Sequence, residues 1–393
     1  MSESLPPLSG RSFGMRLACV LCVCAVLVGL DLWQRVPPPA RPRAVWPVPT
    51  DSMPTTTLIP RAGGQIPMPA NTPAAHASTL LPLPADNAVS LLAFWFAGSR
   101  ESGPDVQIAA SAFDRSRQQW SAARFVVNRH EAGVQLGFGL RRLGNPVAWR
   151  DADGRIHLFV VATGLGGWAA GRILHLRQVD GGPDFEQLAF APVRVLPLSW
   201  AWNTSHLVRA MPLPLADGGM VLPAYFELGK KYPVALRFDA HGEFRGMVRM
   251  SQRGYLLQPT LLMRNETDWL ALLRDNSAEK KLRAVQTLDG GQHWQDLPDP
   301  GLHNPDAAIA ALTLEPGLML LAHNPRPDSR AVLDLSVSSD GLQWRRLLTL
   351  AQGERPSEYS YPSLAWADGS LWVSYTDQRR TIAWQRLDPA DKR

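Results

Sequence analysis

Residues 287–294 read TLDGGQHW. Thr287, Asp289, Gly291 and Trp294 complete the pattern S/T-x-D-x-G-x-x-W, the Asp box, in which the carboxylate accepts from turn amides, the glycine takes a backbone angle other residues resist, and the tryptophan packs beneath the turn. Looser copies stand at QVDGGPDF, where Phe185 replaces the tryptophan, at SSDGLQW, one residue short, at AFDRSRQQW, one residue long, and faintly at RFDAHGEF. Their aspartates, Asp114, Asp180, Asp239, Asp289 and Asp340, are separated by 66, 59, 50 and 51 residues. That interval is close to the length of a four-stranded propeller blade, and five turns at blade spacing predict six blades. The box is a structural device, so these aspartates are poor catalytic candidates.

Outward from the boxes, the segments are strand-length apolar or alternating runs, such as LLAFWFAG, IHLFVVATG, MVLPAYFEL, WLALLRD and LWVSYTD, divided by Gly, Asp and Asn turns. Fourteen Trp and 31 Gly fit many short strands closed by glycine turns. A parallel α/β fold needs helical stretches between strands, and none is evident after residue 76. The expected class is all-β, a six-bladed β-propeller over 76–388.

The N-terminal part has a different composition. The cytoplasmic start is placed at 1–15 and a transmembrane or signal-anchor helix at 16–34, because Arg11 and Arg16 precede the apolar run LACVLCVCAVLVGL, Leu17–Leu30. Asp31 interrupts that run, and no small-x-small cleavage site follows it, so an uncleaved anchor is preferred to a cleaved signal peptide. The propeller is then expected on the periplasmic or exterior side, or secreted if the segment is removed. Cys19, Cys22 and Cys24 all lie in the run and read as small, lipid-compatible residues rather than a redox or metal pair. Residues 35–75, crowded with proline, read as an extended spacer.

Charge and motif searches exclude other classes. Of the net +5, residues 1–70 carry +3, from six Arg against Glu3, Asp31 and Asp51. The remainder is interleaved over the rest of the chain, which is no footprint for nucleic acid. Nine histidines show no metal spacing, and there is no phosphate-loop or dinucleotide glycine pattern, so no metal or cofactor is expected.

With the boxes in register, the phrases WFAGSRESGPDVQI, GNPVAW, LPAYFE, LQPTLL, LLRD, HNPDAAIAAL, SRAVLDLSVSSDG, EYSYPSLA and VSYTDQR resemble the sialidase (neuraminidase) superfamily, most closely its BNR-repeat branch. That resemblance implies an exo-acting glycoside hydrolase for sialic acid or another acidic sugar. In the family three arginines bind the sugar carboxylate, a tyrosine assisted by a glutamate is the nucleophile, and an aspartate is the acid/base. Guanidinium forks match a carboxylate, and a neutral tyrosine attacks an anionic sugar without repulsion. By this resemblance Tyr361 in YPSL is the nucleophile, with Tyr359 a nearby competitor for that role, Asp105 the acid/base, and Arg283 and Arg330 the second and third arginines. His76 stands where the first arginine belongs, and Gln258 where the glutamate belongs. A neutral amide accepts no proton and histidine clamps a carboxylate less well, so both departures bear on turnover. Arg100, Glu101, Glu227, Arg274, Asp275, Asn145, Asn304 and Asn324 lie at strand ends, where propeller sites are assembled. The alternatives to a hydrolase are a carbohydrate-binding propeller without turnover and an envelope scaffold for another protein.

Overall fold

A computed structural model describes residues 10–34, 41–46, 57–101, 103–164, 167–179, 184–199 and 203–390. Two compact units result, residues 1–39 and 40–393.

In the larger unit six antiparallel sheets follow one another along the chain. The first blade runs Ala74–Pro82, Val89–Gly98, Gln107–Asp114 and Gln119–Trp120, with Arg124–Phe125 also on its third strand. The second runs Arg142–Arg150, Ile156–Thr163, Arg172–Gln178 and Phe190–Val195. The third has its inner edge split between His206–Val208 and Leu213–Pro214, followed by Met220–Phe226, Tyr232–Phe238 and Phe244–Arg249. The fourth is Leu256–Met263, Trp269–Asp275, Leu282–Thr287 and Gln295–Asp296, and the fifth Ala310–Glu315, Leu318–His323, Val332–Ser338 and Arg345–Gln352. The sixth takes Tyr359–Ala367, Ser370–Asp377 and Thr381–Pro389 from the end of the chain and its outermost strand, Leu58–Gln65, from the beginning. The six-bladed all-β architecture expected from the box spacing is thus observed.

That closing strand corrects the spacer expected over 35–75. Pairing from Leu58↔Pro389 to Gln65↔Ala383 ties the two ends of the domain together, and Ile66 is buried beyond it. Prolines stand on both sides of the strand, but only Pro60 lies inside, beside a shift in register where a missing N–H is tolerated. Arg41–Trp46 also rest on the propeller: Ala44 donates to Glu266 O at 2.8 Å and Arg43 O accepts from Ala216 N at 2.8 Å. The eight-residue helix Arg129–Leu136, capped by Asn128, is a further element the sequence pattern did not disclose.

Apolar side chains collect between neighbouring sheets, one cluster at each of the six blade interfaces. Trp95, Trp269 and Trp372 are fully buried there. Each large side chain so buried contributes about 1.5 to 3 kcal/mol, which is how short strands with few local contacts are held in a ring.

The Asp boxes close the turn between third and fourth strands. Asp289 Oδ1 accepts from the amides of Gln292 and His293, both at 2.9 Å, while Trp294 donates to Gly291 O at 3.1 Å. Asp340 does the same with Leu342 and Gln343, both at 2.8 Å, and Trp344 with Gly341 O at 2.9 Å. The shorter copy SSDGLQW is therefore a full box in space. Asp114 and Asp239 accept from turn amides in the first and third blades. Asp180 lies outside the described residues. The sixth blade has no such turn because its fourth strand comes from the other end of the chain, which explains five boxes in six blades.

In the smaller unit Gly10–Gln34 form a 25-residue helix. Met15, Leu17, Val20, Leu21, Val23, Val26, Leu27, Val28 and Leu30 are exposed on it. No helix among the described residues is long and apolar enough to cross a membrane. The expected span therefore lacks support: the apolar run stops at Arg16 and Asp31, short of the roughly 20 residues a crossing needs.

Candidate active site

The site begins with a feature of the backbone. Ala77, Asn145, Ser205, Gln258, Asp306 and Tyr361, one residue per blade, have φ between 45° and 66°. In four blades the ladder to the second strand skips at that point, between His76 and Thr79, Gly144 and Val147, Leu257 and Thr260, and Ser360 and Ser363. In the third and fifth the residue stands just ahead of the inner strand. Non-glycine residues adopt this region rarely and at a cost of about 1 to 3 kcal/mol, and such costs collect at functional sites. Pro146, Pro259 and Pro362 follow three of the six, where the missing N–H has no ladder partner to lose.

Tyr361 is the centre of the cluster. Its ring lies 4.0 Å from the ring of His76 and 5.2 Å from the Arg209 guanidinium carbon. Burial pushes its hydroxyl up, but Arg274, a hydrogen bond with Gln258, Arg330 and Arg209 together outweigh that and bring it below the ordinary phenol value. Gln258 Oε1 accepts from Arg274 Nη1 at 2.9 Å, and its Nε2 lies 3.4 Å from the Tyr225 hydroxyl. Burial, then the charge of Glu227, push Tyr225 well up, so it remains a neutral phenol.

The guanidiniums are held by carboxylates from other blades or loops. Arg274 Nε donates to Asp306 Oδ1 at 2.5 Å, and Asn276 donates to Asp306 Oδ2 at 2.7 Å. Arg330 donates to Glu358 Oε1 at 2.9 Å and to the Asp306 carbonyl at 2.7 Å. Arg379 donates to Glu358 Oε2 at 2.8 Å and pairs with Glu101. Although burial opposes it, bonds from Arg379 and Ser360 and the charge of Arg330 hold Glu358 down at about 2. Such pairing fixes the orientation of each guanidinium fork.

Of the residues expected from the sequence, Tyr361, Gln258, His76, Arg330 and Arg274 are brought together. His76 is 3% exposed, and burial and then Arg379 lower it well below the ordinary histidine value, so it is a neutral ring packed on Tyr361. Arg283 is not brought to Tyr361. It lies on the third strand of the fourth blade and is engaged by Asp275 at 2.9 Å, Glu279 at 2.6 Å and Asp299 at 3.5 Å. Asp105 lies in the loop after the second strand of the first blade, on Ser99 N at 2.7 Å and Ser99 Oγ at 2.8 Å. Burial opposes ionisation, but these bonds and nearby Arg129 together bring its carboxyl below the ordinary carboxylate value. Arg100 and Glu101 share that loop and border a small pocket with His76, Phe96 and Arg379. Glu227 is pushed up by burial, against the pull of Lys231 and Arg274.

Arg209, Asp306, Glu358 and Arg379 were not foreseen from the sequence. Asp306 and Arg379 do lie in quoted family phrases, HNPDAAIAAL and VSYTDQR, and Glu358 opens EYSYPSLA. Arg209, alone in HLVRAMP, carries no signal. A separate cleft of about 720 Å3 between the first two blades, lined by Leu83, Asp114, Arg150 and Phe185 among others, shares no residue with the Tyr361 cluster.

A ring of six blades with a partly buried tyrosine on an inner strand and arginines gathered around it from other strands and loops defines a propeller of the sialidase-like class. Residues 89–373 match the BNR repeat-like domain, and the chain belongs to that family. The Hadza microbial sialidase Hz136 superposes with a TM-score of 0.68 at 17% identity, covering 84% of this chain and 69% of its own. A protein of unknown function from Dyadobacter fermentans gives 0.66 at 12% identity, over 85% of this chain and 100% of its own. Trypanosoma rangeli sialidase in complex with sialic acid gives 0.62 at 12% identity, over 89% of this chain and 59% of its own. These similarities are of fold. No curated protein matches the chain.

Proposed function

We propose that the protein is a sialidase-like glycoside hydrolase acting on an acidic sugar, with Tyr361 as nucleophile, Arg330 and Arg274 as the carboxylate clamp, and Asp105 as the acid/base group. The observation that carries this reading is the placement of Tyr361 on a kinked inner strand with Arg274 and Arg330 bearing on its hydroxyl. Two guanidiniums and a nucleophile at one point are what an exo-acting enzyme needs to fix an anionic sugar and attack it from one side. His76, Gln258, Arg100 and Glu101 complete the wall. Arg283 belongs to this proposal only through the sequence resemblance. The test is sugar release by the purified full chain from a panel of sialosides and other acidic glycans. Tyr361→Phe is expected to lower release by at least about 10³-fold with folding intact, as removal of a covalent nucleophile does. No release from any substrate rejects the reading.

A second reading has its own observation. Gln258 takes the place of a carboxylate beside Tyr361, which favours binding of the acidic sugar without turnover. Glycan-array binding that Tyr361→Phe leaves intact and Arg330→Ala weakens would favour it.

The N-terminal helix, apolar and exposed, is proposed to hold the propeller at the outer face of a membrane, in the periplasm or at the cell exterior. Fractionation of cells expressing the chain with and without residues 1–36 tests this; a membrane fraction unchanged by the deletion rejects it.

A further inference from the structure

The inner strand of the sixth blade carries Tyr361 on a break in its ladder. Pairing with the second strand runs to Ser360↔Thr376, skips, and resumes at Ser363↔Ser374, with Tyr361 at φ 54° in the left-handed region. The skip leaves the carbonyls of Tyr361 and Pro362 outside the ladder, and a backbone carbonyl withdrawn from water needs a donor. Arg209 supplies it. Its Nη2 donates to Tyr361 O at 2.7 Å and to Pro362 O at 2.9 Å, and its guanidinium carbon lies 5.2 Å from the centre of the Tyr361 ring. Arg209 is 2% exposed, and its Nε has no hydrogen-bond partner. No carboxylate among the described residues pairs with it. Two carbonyls and one ring are what this side chain holds.

The reach of this contact sets it apart. Arg209 directly follows His206–Val208 on the inner edge of the third blade, and 152 residues separate it from Tyr361. In a ring of six the third and sixth blades stand opposite each other, so the side chain crosses the axis as a strut. Other kinks are held from closer by. In the fifth blade the Asp306 carbonyl accepts from Arg330 of the same blade at 2.7 Å, and in the first the Ala77 amide donates to Thr376 Oγ1 of the adjoining sixth blade at 3.1 Å. A left-handed residue persists only where its surroundings over-determine it. A strand that slipped back by one residue into regular pairing would turn its side chains to the opposite face, and Tyr361 would leave the mouth.

We propose that Arg209 is the positioning residue of Tyr361, a strut across the propeller axis that holds the kink in its strand and keeps the phenol turned into the mouth. The effect on turnover rests on the glycosidase reading; the placement of the ring does not. Arg209 acts through the tyrosine, whereas Arg274 and Arg330 are fixed by side-chain carboxylates at the mouth, Asp306 and Glu358. Its loss therefore lowers kcat and leaves KM, and the loss of Arg330 raises KM.

The experiment pairs NMR of the substrate-free full chain, carrying tyrosine labelled with 13C at Cε, with turnover of an acidic glycan that the chain releases. Six tyrosines give few signals, and Tyr361→Phe assigns the one in question. The His76 ring 4.0 Å away makes its shift a marker of ring position. Arg209→Met, similar in length but without a donor, is expected to move or split the Tyr361 signal while those of Tyr232 and Tyr255 stay. It should lower kcat by about 10- to 100-fold, the cost of displacing a reacting group by about 1 Å, with KM within about twofold. Arg209→Lys, whose ammonium can serve both carbonyls, should restore the signal and most of kcat. An unmoved signal in Arg209→Met, or a raised KM at unchanged kcat, overturns the proposal. If Arg209→Met does not fold by far-UV circular dichroism, Arg209→Gln decides, since its amide is too short to reach both carbonyls. There a moved signal keeps the proposal, and an unmoved signal or a second loss of fold overturns it. A moved signal in a protein that releases no sugar rejects the glycosidase and keeps the strut. Undiminished kcat in Arg209→Met does the reverse.

Discussion

The Asp-box rim and the mouth around Tyr361 both present carboxylates, yet they satisfy them in opposite ways. At the rim, Asp289 and Asp340 accept from amides two to four residues away within their own turns. At the mouth, Asp306 and Glu358 accept from arginines 32, 28 and 21 residues distant along the chain, which only the ring brings near. The rim spends its charge on holding a hairpin. The mouth assembles charge that remains directed at a common point, supported by backbone kinks repeated in every blade. A local motif thus marks structure in this protein, and the dispersed residues mark the site.

The comparison is broken most forcefully at the mouth. Arg330→Ala is expected to weaken binding of an acidic sugar by about 2 to 3 kcal/mol, roughly 30- to 150-fold, the loss of a charge-assisted fork, read by calorimetry or KM. An unchanged affinity would mean the mouth is no more than a structural ion network.

Glu358→Gln probes the same network for stability. Because the folded carboxyl is held at about 2, below its unfolded value of roughly 4.5, the unfolded chain binds the proton more readily between those two pH values. The contribution of Glu358 is therefore fully present above roughly pH 4.5 and is lost as pH falls through 2. Urea unfolding should show the variant about 2 to 3 kcal/mol less stable at pH 7, with the gap to wild type narrowing at pH 3. A gap independent of pH would place the effect elsewhere.

At the rim the effects are smaller and purely structural. Asp289→Ala leaves two turn amides and the Thr287 hydroxyl without their acceptor, and should cost about 1 to 2 kcal/mol in unfolding experiments with sugar affinity unchanged. Loss of affinity there would erase the distinction between rim and mouth.

The smallest change is expected from Arg283→Met, about 0.5 to 1 kcal/mol in stability and none in sugar affinity, because its partners are carboxylates of its own blade and the following loop. A tenfold loss of affinity would restore the role that the sequence resemblance gives it.

The choice between Arg283 and Arg274 shows where sequence reading stops. Both lie in the fourth blade, and the phrase containing Arg283 leads directly into the strongest box, so chain order favours it. Strand position decides otherwise. Arg274 ends the second strand, next to Gln258 on the first, whereas Arg283 is one strand further from the axis. The closing strand Leu58–Gln65 was hidden for a similar reason, since proline-rich flanks mask a segment whose only partner is more than 300 residues away.

By itself, the sequence determined what is local: the hairpin boxes, their interval and the number of blades, and it marked Tyr361 and Arg330 as candidates through phrases placed relative to those boxes. The tertiary structure decided which arginines reach Tyr361, that His76 is a neutral packing ring, and that Arg209 lies buried against the tyrosine ring with no carboxylate partner among the described residues. The physical reason is range. A turn fixes its hydrogen bonds within a few residues, whereas a charge cluster at a propeller axis is set by six strands that meet only when the ring closes.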